Sequence, residues 1–154
     1  MNLKPIYIGK LKIPKPLFLA PMAGVTDLPF RIWAKKYGAG VLITEMVSAR
    51  ACSYKSGKTL NRMRINKCEH PCGIQIFGDN IEDMISASNM ASDMGADFVN
   101  INLGCPAPKV LKSGGGFALM SGSGRLKGFF EELVKKSRLP VTVKLRLGSK
   151  KDPE

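Results

Sequence analysis

Short apolar runs alternate with amphipathic stretches along most of the chain. Five runs have strand character: LFLAPM at residues 17–22, VLITEM at 41–46, GIQIFG at 73–78, DFVNINL at 97–103 and VTVKLRL at 141–147. Between them lie segments with helical spacing. In VTDLPFRIWAKKYG (25–38), Thr26 or Asp27 can cap a helix, Pro29 fits its first turn and Gly38 its end. In DNIEDMISASNMASDMG (79–95), Asp79 or Asn80 can cap. Ile81, Met84, Ile85, Ser88, Ala91 and Met94 then share one stripe, so these methionines read as core packing. In GRLKGFFEELVKKSR (124–138), Leu126, Phe129, Phe130, Leu133 and Val134 share one face, weakened by Gly128. Apolar strands covered by helices predict an α/β fold with a parallel sheet. Two architectures satisfy that pattern, an open doubly wound sheet and a (β/α)8 TIM barrel. No GxGxxG follows the first run, which counts against the dinucleotide-binding form of the open sheet.

Composition narrows the function classes. The chain has 154 residues, 44% of them hydrophobic, enough for one domain with a core. Lys and Arg number 24 against 12 Asp and Glu, a net charge of +12. That balance favours a polyanionic partner, nucleic acid first, although a solubilising surface accounts for it equally because the basic residues are spread along the chain. No segment has the apolar core of a signal peptide or approaches the ~18 apolar residues of a spanning helix, so no membrane association is expected. The four cysteines, Cys52, Cys68, Cys72 and Cys105, are sparse and irregularly spaced, which suits a reduced, cytoplasmic protein. Cys68, His70 and Cys72 in CEHPC lack a second ligand pair, so no metal site is expected there.

The chemistry-bearing residues collect where the strands end. Pro21 and Met22 close the first run and Glu45 sits late in the second. Gln75 lies in the third, Asn102 to Cys105 end the fourth, and Lys144 and Arg146 fall late in the fifth. In a barrel these positions face the C-terminal rim, where barrel active sites lie. Cys105, in NINLGCPAPK, is either a small buried hydrophobe or a reagent. Lys144 in an apolar strand is unusual, with a salt bridge to Glu45 as its structural alternative. Gln75 has a barrel hydrogen bond as its own. Pro106 and Pro108 stiffen the backbone after the cysteine. Gly114, Gly115 and Gly116 form either a close-approach segment near RNA or a flexible loop. Tyr54, Lys55, Lys58, Arg62 and Arg64 form either a phosphate-contacting group or a solvated face.

Taken together, LAPMAGVTDLPFR, GAGVLITEMVSARA, GIQIFG, GADFVNINLGCPAPKVLKSGGGFALM and LPVTVKLRLG resemble the tRNA-dihydrouridine synthase family, in family order and over most of the chain. The resemblance implies an FMN-binding (β/α)8 barrel followed by a small helical domain. It implies reduction of the 5,6 double bond of selected tRNA uridines, with NADPH or NADH reducing the flavin. It assigns Pro21, Met22 and Ala23 to the segment beside the FMN ring, Gln75 to the polar edge of the flavin and Lys144 to its side. Asn102 matches a residue that orients the target uracil, Arg146 a position near the substrate and phosphate, and Cys105 the proton donor. The residue types suit this chemistry. A thiol with an ordinary pKa of about 8.5 is largely protonated near neutrality and can still donate. A lysine offers positive charge to a reduced flavin. A glutamine amide both donates and accepts.

One departure from the family pattern is large. A barrel typically takes ~250 residues, and five strands are expected in residues 1–154. Three further strands, a histidine contact to FMN, the phosphate-binding loops and the helical RNA-binding domain are therefore expected outside this sequence. The reading is an N-terminal portion of the catalytic domain, with unpaired edges at the first and fifth strands. A second chain completing the barrel is the lesser alternative. Two other classes remain: another FMN-barrel reductase acting on a small molecule, and a non-catalytic RNA-binding fragment.

Overall fold

The computed structural model describes residues 3–121 and 126–147. It opens with a β-hairpin that the hydrophobic pattern did not announce: β1 (Ile6–Ile8) and β2 (Leu11–Ile13) pair antiparallel. The first expected strand is reduced to one parallel bridge between Phe18 and Val41. Pro16 and Pro21 bracket it and cannot donate to a ladder. Helix α1 (Leu28–Lys36) follows, capped by Asp27, whose side chain accepts from the Phe30 amide.

The second expected strand is split into β3 (Leu42–Ile43) and β4 (Val47–Ser48), both paired with β5 (Cys72–Phe77). Ile43 faces Gly73 and Val47 faces Ile76, so four steps on one strand match three on the other. This is a bulge of one extra residue. Thr44 bridges it: its amide donates to Gly73 O, and its hydroxyl accepts from the Gln75 amide at 3.2 Å. Short helices α2 (Ala49–Ser53) and α3 (Gly57–Met63) and a single 3-10 turn (Lys67–Glu69) lie between β4 and β5.

Helix α4 (Ile81–Asp93) is capped by Asn80 and buries Met84, Ile85, Ser88 and Ala91, as the periodicity requires. Strand β6 (Phe98–Asn102) leads to α5 (Pro108–Leu111) and α6 (Phe117–Ser121). Helix α7 (Leu126–Lys136) then leads to β7 (Val141–Lys144), so residues 145–147 of the fifth expected strand are not strand. Gly124, Arg125 and the tail from Gly148 lie outside the described residues.

The sheet runs in chain order, with β3, β5, β6 and β7 all parallel and the Phe18 segment beside β3. A doubly wound sheet reverses its order at a switch point. This sheet does not, and it forms the arc of a (β/α)8 barrel, incomplete at five strands. Strand residues alternate between two layers. Ile74, Ile76, Val99 and Ile101 pack outward with Met84, Ala87, Ala91 and Leu133. On the inner side, Ile43 and Phe98 meet Ile8 and Ile13, so the hairpin plugs the N-terminal end of the arc. Gly73 is required there, because a Cβ would lie 2.3 Å from the Phe98 ring. Full burial of that ring contributes about 1.5–3 kcal/mol.

Both flanks of the arc are apolar and open. Phe30, Trp33 and Tyr37 on and beside α1 are 43%, 60% and 75% exposed. At the other end, Leu126, Phe130, Val134, Val143 and Leu145 line an apolar recess of about 820 Å³. Val134 therefore lies on the predicted apolar face of α7 and yet is exposed.

Candidate active site

At the C-terminal end of the arc, inward-facing polar side chains form one connected network. The strand register places Gln75 opposite Asn100, Asn100 opposite Thr142, and Asn102 opposite Lys144. Gln75 Nε2 donates to Asn100 Oδ1 at 2.7 Å, and Asn100 Nδ2 donates to Thr142 Oγ1 at 2.9 Å. Asn102 Nδ2 donates to Gln75 Oε1 at 3.1 Å and to Met46 Sδ at 3.6 Å. Asn102 Oδ1 in turn accepts from the Gly104 and Cys105 amides at 3.1 and 2.9 Å. Gln75 is only 1% exposed, yet its amide keeps one N–H and one lone pair beyond these bonds. The barrel hydrogen bond anticipated as its alternative role exists, and it leaves that capacity intact.

Beside the network lies a recess of about 360 Å³, lined by Phe18, Pro21, Asn100, Thr142 and Lys144 among others. Apolar walls, the Asn100 amide and Thr142 hydroxyl, and the Lys144 ammonium suit a flat, partly polar ring; Gln75 and Asn102 lie behind this lining. Met22 and Ala23, which follow Pro21, are exposed and do not line it. Their loop is tied down from three directions. The Met22 amide donates to Thr26 Oγ1, the Gly24 amide donates to Glu45 Oε1 at 2.5 Å, and Arg31 Nη1 donates to Thr26 O. Glu45 reaches Gly24 from the bulged segment between β3 and β4 and forms no ion pair with Lys144; the latter is exposed.

Cys105 is half-buried in the loop after β6. Its carbonyl accepts from the Phe117 amide at 3.1 Å. Arg146 is exposed beside this loop, with its guanidinium 5.5 Å from the centre of the Phe117 ring. The glycine triplet is neither a free loop nor solvent-facing: Gly115 and Gly116 are buried. A Cβ on Gly114 would strike the Asp79 carboxylate, and one on Gly115 would lie 2.9 Å from Gly78 N. At Gly116, with φ +60°, it would lie 2.7 Å from Cys105 O. The triplet packs the cysteine loop against the end of β5.

The sequence profile described as Dihydrouridine synthase (Dus) matches residues 18–154. The chain belongs to the dihydrouridine synthase family. It is 39% identical over 144 residues to a probable tRNA-dihydrouridine synthase of Rickettsia bellii, covering 93% of this chain and 44% of the relative. It is 35% identical over 147 residues to tRNA-dihydrouridine synthase B of Pseudomonas aeruginosa, covering 96% and 44%. The chain thus spans under half the length of these relatives. Among solved structures, it superposes on the 6-hydroxypseudooxynicotine amine oxidase of Pseudomonas geniculata with a TM-score of 0.69 at 13% identity, covering 97% of this chain and 33% of that one. A variant of NCR from Zymomonas mobilis gives 0.59 at 19% identity, covering 96% and 59%. At these identities the likeness speaks for the fold.

His70 Nδ1 lies 2.7 Å from Asp97 Oδ2, which also accepts from the Cys72 amide, while Cys68 is exposed. Among the described residues, no group of three or more His, Cys, Asp or Glu is placed to hold a metal. Burial pushes the Cys52 thiol up to about 11 and the Cys72 thiol to about 12. Tyr54, Lys55, Lys58, Arg62 and Arg64 are all exposed around α2 and α3. No helix of the described residues is long and apolar enough to cross a membrane.

Sequence reasoning passed over Asn100, Thr142, Thr44 and the bulge. Two asparagines at alternate positions of an otherwise apolar strand, VNIN, were the available signal for Asn100.

Proposed function

We propose that this chain is the N-terminal portion of an FMN-binding barrel that reduces uridine to 5,6-dihydrouridine in tRNA. The observation that carries this reading is the convergence of Cys105, Lys144 and the Gln75–Asn100–Asn102 network on one mouth of the arc, in a chain of this family.

The residues fit the cofactor. On this reading Pro21, with Met22 and Ala23 after it, would lie against the flat ring, Gln75 would use its remaining donor and acceptor on the polar edge, and Lys144 would bring positive charge. FMN, once reduced by NADPH or NADH, would supply hydride to C6 of the uracil. Negative charge then develops through C5 and the O4 carbonyl, and the Cys105 thiol donates a proton to C5. On this reading Asn102 would orient the target uracil and Arg146 would lie near the substrate and phosphate. The basic surface, including Lys55, Lys58, Arg62 and Arg64, favours tRNA as partner and a salt-sensitive encounter. The work of such an enzyme places it in the cytoplasm. Further β/α units, from a longer chain or from a second one, would cover the apolar flanks beside α1 and β7.

The test is direct. The purified chain is mixed with FMN, gel-filtered and read by visible absorbance, then assayed for uridine reduction in tRNA with and without Cys105→Ala. Retained flavin on a monodisperse species, with reduction lost in the variant, supports the reading. Reduction at the wild-type rate in Cys105→Ala removes the thiol from the mechanism. Turnover of a free pyrimidine but not of tRNA favours a small-molecule reductase, and tRNA binding without flavin a non-catalytic fragment.

A further inference from the structure

The hydroxyl of Thr142 gives the polar network its direction. It lies 3.1 Å from Val99 O and 2.9 Å from Asn100 Nδ2. A backbone carbonyl only accepts, so the hydroxyl spends its single hydrogen on Val99 and is left to accept from Asn100. Asn100 must then turn its NH2 to Thr142 and its Oδ1 to Gln75. An oxygen at that place calls for a donor, and Gln75 Nε2 supplies it at 2.7 Å. Gln75 Oε1 is thereby set on the other side, where Asn102 Nδ2 donates at 3.1 Å. A side-chain amide is oriented by the partners it satisfies. Here each bond inherits its direction from the one before, starting from a carbonyl that has no alternative.

Register and burial make this relay strict. Asn100 stands opposite Gln75 on one neighbouring strand and opposite Thr142 on the other. Gln75 and Asn100 are 1% and 3% exposed, so water is not at hand to satisfy a reversed amide. Turning the Gln75 amide over would set oxygen against oxygen at Asn100 and NH2 against NH2 at Asn102. The backbone of Gln75 is held in the same way. Its amide donates to Thr44 Oγ1, whose own hydrogen goes to Glu45 O. After these bonds Gln75 keeps one Nε2 hydrogen and one Oε1 lone pair, and a flip would exchange their places. A ring edge that alternates donors and acceptors is matched in one order and mismatched in the other.

We propose that Thr142 is a positioning residue for the cofactor: through Asn100 it fixes which way the Gln75 amide faces, and so the order of donor and acceptor met by the polar edge of a flavin. This rests on the flavin reading of the site, but the orientation exists without flavin and is measured without it.

The experiment is NMR of the Gln75 side-chain amide in the 15N-labelled 154-residue chain, comparing wild type with Thr142→Val and Thr142→Ser. Valine keeps the branched shape and discards the hydroxyl, whereas serine keeps the hydroxyl. Wild type and Thr142→Ser should show one pair of Gln75 signals with one slowly exchanging hydrogen. In Thr142→Val nothing directs Asn100, and exchange at Gln75 Nε2 should rise about tenfold, while Thr142→Ser stays within about threefold of wild type. The Ala87 and Ala91 backbone amides, buried in α4, should be unaffected and report that the fold is intact. Unchanged Gln75 exchange in Thr142→Val, or equal loss of protection in both variants, overturns the proposal. If Thr142→Val fails to fold, Thr142→Ala takes its place with the same two outcomes. In a fluorescence titration with FMN, Thr142→Val should bind about three- to tenfold more weakly than wild type and Thr142→Ser should not. Equal affinity in all three would overturn the link to the cofactor. A wild-type chain that binds no FMN would instead sink the flavin reading and leave the exchange result standing.

Discussion

Among the described residues, Arg31 is the largest fully buried side chain, and it carries a charge. Its Nε donates to Glu69 Oε1 at 2.6 Å, Nη1 to Thr26 O at 3.0 Å and Nη2 to Arg64 O at 2.8 Å. Glu69 is 0% exposed, and its other oxygen accepts from the Asn66 amide at 2.6 Å. Replacing Arg31 by methionine strands that carboxylate, with one amide as its remaining partner, and leaves two carbonyls without their donor. Breaking a buried pair in this way costs about 3–5 kcal/mol. For a chain of this length each kcal/mol lowers Tm by about 2–4 °C, so the expected drop is about 6–20 °C. Urea unfolding followed by far-UV circular dichroism, with calorimetry for Tm, measures it. The double variant Arg31→Met with Glu69→Leu removes the orphaned charge and should recover more than half the loss. A loss below about 1 kcal/mol in the single variant, or a double variant no more stable than the single, would show that the pair does not carry this energy. The pair also bears on function, because Arg31 holds Thr26, and Thr26 closes the loop that presents Met22 and Ala23.

Gly116→Ala should destabilise the chain by about 1–3 kcal/mol, since it combines a left-handed backbone with a collision at Cys105 O. An unchanged urea midpoint would contradict this. Iodoacetamide at pH 8 should modify the exposed Cys68 and the half-buried Cys105 in the folded chain, and Cys52 and Cys72 only after unfolding, as read by peptide mass spectrometry. Because burial raises the last two thiols from 9.0 to about 11 and about 12, the folded state favours their protonated forms. Their contribution is complete below pH 9.0 and is lost as pH rises from there through the folded values of about 11 and about 12, so urea midpoints should fall from pH 9.0 upward and not below it. Lys144→Met should weaken FMN binding by about two- to fivefold in a fluorescence titration, with the gap narrowing at high salt. Equal affinity at low salt would remove Lys144 from the cofactor site.

Local pattern carried the helices well. Asp27 and Asn80 cap where the sequence placed caps, and the stripe of α4 is the buried stripe, because capping and 3.6-residue periodicity are short-range properties. The first strand failed by the same logic taken too far. An apolar run reads as strand, but two prolines and a single neighbour leave Phe18 with one bridge. The hairpin at the N-terminus was missed because its two strands are three residues each, too short for periodicity to register.

The site divides along a similar line. Cys105 and Lys144 stood out as chemical types at strand ends and Gln75 as one within a strand, and their identities needed no coordinates. The sequence also determined the alternation of strand and helix, the basic charge and the family. Strand order, the bulge that brings Glu45 to Gly24, the burial of the glycine triplet and the hydrogen-bond network around Asn102 came only with the tertiary structure. Each depends on contacts between residues far apart in the chain, and side-chain direction across a sheet is set by register, which no local pattern specifies.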